Sequence, residues 1–81
     1  MNSPLSATIL SVHLKAIGAA IRSMRKELGL SQEELAYCST IDRSHMGKIE
    51  RGERNVSIAN LLRISQALNC PPSALLLRAG M

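Results

Sequence analysis

Apolar residues return along this chain at helical spacing almost from its start. Leu10, Leu14, Ile17, Ile21, Met24 and Leu28 follow one another in alternating steps of four and three, which places them on one stripe of a helix. Lys15, Arg22, Arg25, Lys26 and Glu27 fall mostly off that stripe, and Gly29 behind Leu28 supplies a stop. The start of this helix has two readings. Ser3 can cap it with Pro4 at the first helical position, or the segment before Ser11 can be a loose arm. Residues 1–13 are accordingly an arm or an extension of the first helix, and residues 14–81 form the domain.

Further along, capping signals and short apolar patterns alternate. Ser31-Gln32-Glu33-Glu34 is a capping box: Ser31 caps and Glu34 reaches back. It opens a short helix that ends near Ser39 and turns Leu35 and Ala36 inward. Ser39-Thr40-Ile41 makes a tight connection, and Asp42 caps a third helix over about 43–51, ended by Gly52. Ile41, Met46 and Ile49 share its apolar side. A polar loop from Glu53 to Val56 leads to Ser57, the cap of a fourth helix, with Ile58, Leu61, Leu62, Ser65 and Leu68 expected on one side. Asn69 suits a left-handed exit, and Pro71-Pro72 prevents continuation. A last helix, about 72–78, carries Leu75, Leu76 and Leu77. No period-two pattern, repeat or low-complexity run appears. The pattern predicts an all-α chain of five helices with short connections.

Composition narrows the class. The 81 residues suggest one small domain, and with a single aromatic residue, Tyr37, its core must be aliphatic. Such a core gains from burial against a second subunit. The net charge of +4 favours an anionic partner, nucleic acid or a membrane surface. The basic residues are distributed rather than gathered on one amphipathic face, which argues against the membrane. Cys38 and Cys70 lack any metal-ligand spacing with His13 or His45 and read as reduced thiols. No run approaches a membrane span and no basic signal region opens the chain, so a soluble cytoplasmic protein is expected. No nucleophile, base and acid are arranged for catalysis. No enzyme activity, cofactor or metal is expected.

The second and third helices have helix-turn-helix spacing. The stretch SQEELAYCSTIDRSHMGKIERG resembles the DNA-binding core of the lambda-repressor/Cro family, also called the XRE family. The shared positions are Gln32, Leu35, Ala36, Thr40, Ile41, Asp42, Met46, Ile49, Glu50 and Gly52. The run IDRSHMGKIERGERNVSI also looks like the controller proteins of restriction–modification systems. The resemblance implies a compact lambda-repressor-like domain and covers Ile21 to about Leu77. Thr40 stands where the family usually has Gly. Gly47 replaces a residue that is often Ser or a larger polar group. The segment from Met1 to about His13 has no clear counterpart.

The residues support that resemblance. A helix in the major groove needs one packed face and one bare face. Opposite Ile41, Met46 and Ile49 lie Arg43, Ser44, Gly47, Lys48 and Arg51. Arg43 is the candidate for a bidentate guanine contact, with Ser44 and Lys48 as further base readers. Gly47, expected on the bare side, would let the helix approach the DNA closely. Gln32, His45, Arg51, Arg54, Asn55 and Ser57 are candidates for phosphate contacts; the family resemblance also puts Gln32 there. The resemblance further pairs Arg25 with Glu50 beneath the motif, a structural ion pair.

A single unit reads about four or five base pairs, so useful specificity calls for a homodimer on a pseudo-palindromic operator, with half-sites about 34 Å apart. Leu75, Leu76 and Leu77 cannot all face one small core, and with the end of the fourth helix they are the expected dimer surface; the alternative is contact through Leu5, Ile9 and Leu10 of the N-terminal arm. The leading expectation is a sequence-specific DNA-binding transcriptional regulator. It would act through operator occupancy, oligomerisation or contact with RNA polymerase. The alternative is an antitoxin-like or other protein-interaction module on the same fold.

Overall fold

Three of the short helices of this chain start where the sequence supplies a capping side chain. Ser31 accepts the Glu34 N–H at 3.0 Å, Asp42 accepts the Ser44 N–H at 3.0 Å, and Ser57 accepts the Asn60 N–H at 3.0 Å. The resulting architecture comes from a computed structural model describing residues 7–81. Among these residues it has no strand and five helices: α1 (Ala7–Glu27), α2 (Gln32–Cys38), α3 (Arg43–Glu50), α4 (Ile58–Ala67) and α5 (Pro72–Arg78). The first helix is already formed at Ala7, so residues 7–13 extend it and are not a loose arm. The expected Ser3 cap and Pro4 lie outside the described residues.

Turn backbones follow the sequence signals with one departure. Asn69 takes the left-handed conformation at φ +59°, as expected of a helix exit. Thr40 does the same at φ +53° between α2 and α3. A β-branched residue is strained there. At the turn position where the resembling family usually has Gly, Thr40 thus holds a left-handed backbone that Gly adopts more readily.

Ile21, Leu35, Met46, Ile49, Ile64 and Leu75 are fully buried, and Ala20, Ala36, Ile41, Leu61 and Leu68 complete the core. Fully burying one such large aliphatic side chain contributes about 1.5–3 kcal/mol. Two expectations need correction. On α4 the buried side is Leu61, Ile64 and Ser65, continuing to Leu68 at the helix end, while Ile58 is 71% and Leu62 50% exposed. The core accepts only a narrow stripe of this helix, and Ile58 and Leu62 stand at its far edge. On α5 Leu75 points into the chain's own core at 0% exposure, so it is unavailable to a second subunit. Leu76 packs partly against that core and Leu77 is 73% exposed.

The end of α3 sits hard against the middle of α1. A Cβ on Gly18 would collide with the carbonyl oxygen of Ile49 and lie 2.5 Å from that of Glu50. A Cβ on Gly52 would lie 2.7 Å from the Cα of Lys15. Two glycines therefore set how closely these helices cross, and α3 is fixed at its C-terminal end while its N-terminal end projects.

Candidate nucleic-acid interface

Asp42 organises the projecting end of α3. Its Oδ2 accepts the Ser44 hydroxyl at 2.6 Å and the backbone N–H groups of Ser44 and His45. These bonds, the Ser44 hydroxyl first, hold the Asp42 carboxyl below its usual value. Its charge is thus directed into the helix end. Arg43, the first helical residue, is exposed, and its side chain makes no ion pair or hydrogen bond among the described residues. Ser44 is exposed, but its hydroxyl proton is donated to Asp42, leaving it an acceptor. His45 and Lys48 are half-buried.

Gly47 does not stand on the bare face. It is buried, and a Cβ there would lie 3.3 Å from both Gln32 Oε1 and Arg51 Nη1. The expectation of an open notch toward DNA is therefore corrected. The space over Gly47 is filled by the protein's own side chains. α2 lies close enough for Gln32 to cross α3 at this point, a neighbour that a helical wheel of α3 alone omits.

Gln32 in turn donates through Nε2 to Glu50 Oε1 at 3.1 Å. Arg25 grips the same carboxylate with Nε at 2.8 Å and Nη2 at 3.0 Å, and its Nη1 donates to the Leu30 carbonyl at 2.9 Å. Both members of the pair are buried, with side chains 10% and 3% exposed. One network thus joins α1, the turn before α2, the first residue of α2 and the last residue of α3. The Gln32 amide, a phosphate candidate in the sequence, is engaged within the protein.

The remaining candidates lie along the loop after α3. Arg51 pairs with Glu53 at 3.0 Å on the surface, and this hydrogen bond lowers the Glu53 pKa. The pair offsets part of the positive charge Arg51 would bring to a phosphate. Arg54 and Asn55 are exposed in the loop. The Ser57 hydroxyl caps α4. The structure thus gathers Arg43, Ser44, His45 and Lys48 on α3, with Arg54 and Asn55 beyond its end. It separates them from Leu76 and Leu77 on α5, which line a shallow apolar depression with Ser73, Ala74 and Met81. Sequence reading passed over Gly18. Its signal in the sequence is that of a glycine inside a helix, which costs about 1 kcal/mol relative to alanine, as at Gly47.

Among the described residues no helix is long and apolar enough to cross a membrane, and no group of acids, cysteines and histidines could hold a metal ion.

Comparison with known proteins agrees with this geometry. The helix-turn-helix family model HTH_3 matches residues 21–75. The control protein C.SmaI of Serratia marcescens is 41% identical over 76 residues, covering 93% of this chain and 90% of that protein. The control protein C.BamHI of Bacillus amyloliquefaciens is 42% identical over 60 residues, 73% of this chain and 74% of that protein. Among solved structures, the restriction-modification controller protein C.AhdI from Aeromonas hydrophila superposes with a TM-score of 0.75 at 47% identity. The match covers 76% of this chain and 94% of that one.

Proposed function

The chain belongs to the HTH_3 helix-turn-helix family, and from that premise we propose that it is a sequence-specific DNA-binding transcriptional regulator acting as a homodimer on a pseudo-palindromic operator. The observation that carries the reading is the projecting end of α3. Arg43 stands exposed at its first position, the neighbouring acid is satisfied by the helix cap, and Lys48 follows on the same helix. A helix entering the major groove by its N-terminal end places such residues against base edges. Arg43 donates to guanine O6 and N7, Ser44 accepts from a base amino group, and Lys48 reaches a base or the adjacent phosphate. Arg54 and Asn55 contact phosphates from the loop, and His45 lies at the edge of the same surface.

Gln32 and Gly47 act beneath this surface. Gln32 ties α2 to Glu50, and Gly47 leaves it room. Two copies pair through the exposed parts of α5, Leu77 with Leu76 and Met81 beside it. The control-protein relatives support a role in governing restriction–modification genes.

The test is selection of duplexes from a randomised library, followed by titration of the selected duplex and a random one at about 50 and 200 mM salt. The reading expects a selected site bound at sub-micromolar affinity, a steep salt dependence, and loss of discrimination in Arg43→Ala. Equal, weak binding of both duplexes overturns it.

A further inference from the structure

The positive charge of this molecule is not spread evenly. Arg25, Arg51 and Arg78 are neutralised by Glu50, Glu53 and Glu27. Arg63 donates to the neutral Asn60. The other cations make no ion pair among the described residues, and they fall in two groups. Arg43, Lys48 and Arg54 belong to the interface above. Lys15, Arg22 and Lys26 lie on α1, and nothing so far uses them.

These three are spaced by seven and four residues, which is one face of a helix, and all are exposed. Ala19 stands between them and no acid shares the row. Arg22 and Lys26 each follow by one residue a side chain turned inward, Ile21 and Arg25, so the row stands about 100° around α1 from its packed face. Arg78 of α5 takes another side of α1, where it donates to Ser23 and Glu27. The row passes the end of α3: Gly52 abuts Lys15, and Ala19, Arg22, Ser23, Lys26 and Glu50 line a groove there. The one carboxylate in that groove is gripped by Arg25 and does not oppose an anion.

We propose that Lys15, Arg22 and Lys26 form a second phosphate-binding row, which holds the DNA backbone beside the groove that α3 enters. The proposal rests on the reading of α3 as a DNA-reading helix. If the N-terminal end of α3 enters the groove, its C-terminal end lies at the groove's edge, where the phosphates run. That end is where α1 crosses. From Lys15 to Lys26 the helix advances about 16 Å, and one strand carries a phosphate about every 3.4 Å of duplex axis. The row therefore spans several phosphates. Such contacts position the protein and carry no base information.

The experiment compares wild-type chain, Lys15→Ala, Arg22→Ala, Lys26→Ala and the triple variant on a library-selected duplex and a random duplex across a salt series. Arg63→Ala, which removes a charge elsewhere, is the control. Thermal midpoints confirm that each variant folds. Each row substitution is expected to lower the slope of log K against log salt by about 1. The triple variant is expected to lose at least about tenfold in affinity for both duplexes, with their ratio unchanged. Arg63→Ala is expected to leave the slope as it is. A triple variant with the wild-type slope, or an Arg63→Ala loss equal to that of each row member, overturns the row while the DNA reading stands. A wild-type chain that selects no duplex overturns both.

Discussion

Gly18 and Gly47 are both glycines inside helices, yet what surrounds them differs. A methyl group at Gly18 meets backbone carbonyls, which cannot turn aside. One at Gly47 meets the ends of two flexible side chains, Gln32 and Arg51. Gly18→Ala is therefore expected to destabilise the fold by about 2 kcal/mol or more. Gly47→Ala should change stability by less than about 1 kcal/mol, since helix propensity gained offsets the Gln32 hydrogen bond disturbed. Chemical denaturation of the two variants distinguishes them. Thr40 offers the opposite sign. Relieving its left-handed backbone in Thr40→Gly is expected to raise stability by about 0.5–1 kcal/mol, after the entropy that glycine brings to the unfolded chain. That corresponds to a rise of a few degrees in Tm. Residue-scale features of this kind were half legible in the sequence. A mid-helix glycine signals that something comes close, but not what. At Gly47 the visitor is Gln32, fifteen positions away along the chain.

At the scale of the element, caps decided what could be read. Ser31, Asp42 and Ser57 mark their helices in the sequence, and the helices begin where those residues stand. Facing was harder for α4. Its apolar residues cover more than one side, and only packing against the other helices selects Leu61, Ile64 and Ser65 over Ile58 and Leu62. The caps also give the fold a pH signature. Glu34 is held below its ordinary pKa first by the Ser31 N–H, Asp42 first by the Ser44 hydroxyl, and Glu27 and Glu53 by their arginines. A carboxyl lowered in the folded state favours folding above its ordinary value, and that contribution fades as pH falls through the folded value. Tm is expected to be insensitive to these groups above about pH 5 and to decline as pH drops below about 4. All four carboxyls are exposed, so added salt should flatten the part owed to the arginine pairs.

For the whole molecule, the buried Arg25–Glu50 pair belongs to the fold of one chain, and the exposed end of α5 is the surface proposed to pair two chains. Removing one partner of a buried pair leaves an uncompensated charge, and Arg25→Ala is expected to cost about 3–5 kcal/mol in urea denaturation. Leu77→Asp should leave the monomer's fold intact, because that side chain is 73% exposed, yet shift the sedimentation of the chain from dimer to monomer. Leu75→Ala should instead unfold it at a cost of about 2–5 kcal/mol. Three neighbouring leucines in sequence thus divide between core and surface, a division set by the phase of α5 on the body and invisible in composition. A similar division holds around α3. The Arg43 side chain makes no hydrogen bond or ion pair among the described residues, while the network beneath α3 makes several. On the proposed reading, the address on DNA and the stability of the protein are therefore written in separate residues. A lineage carrying this fold is free to drift to new operators by changing a few exposed side chains. Two duplicated copies in one cell can become independent of each other without either passing through an unfolded ancestor.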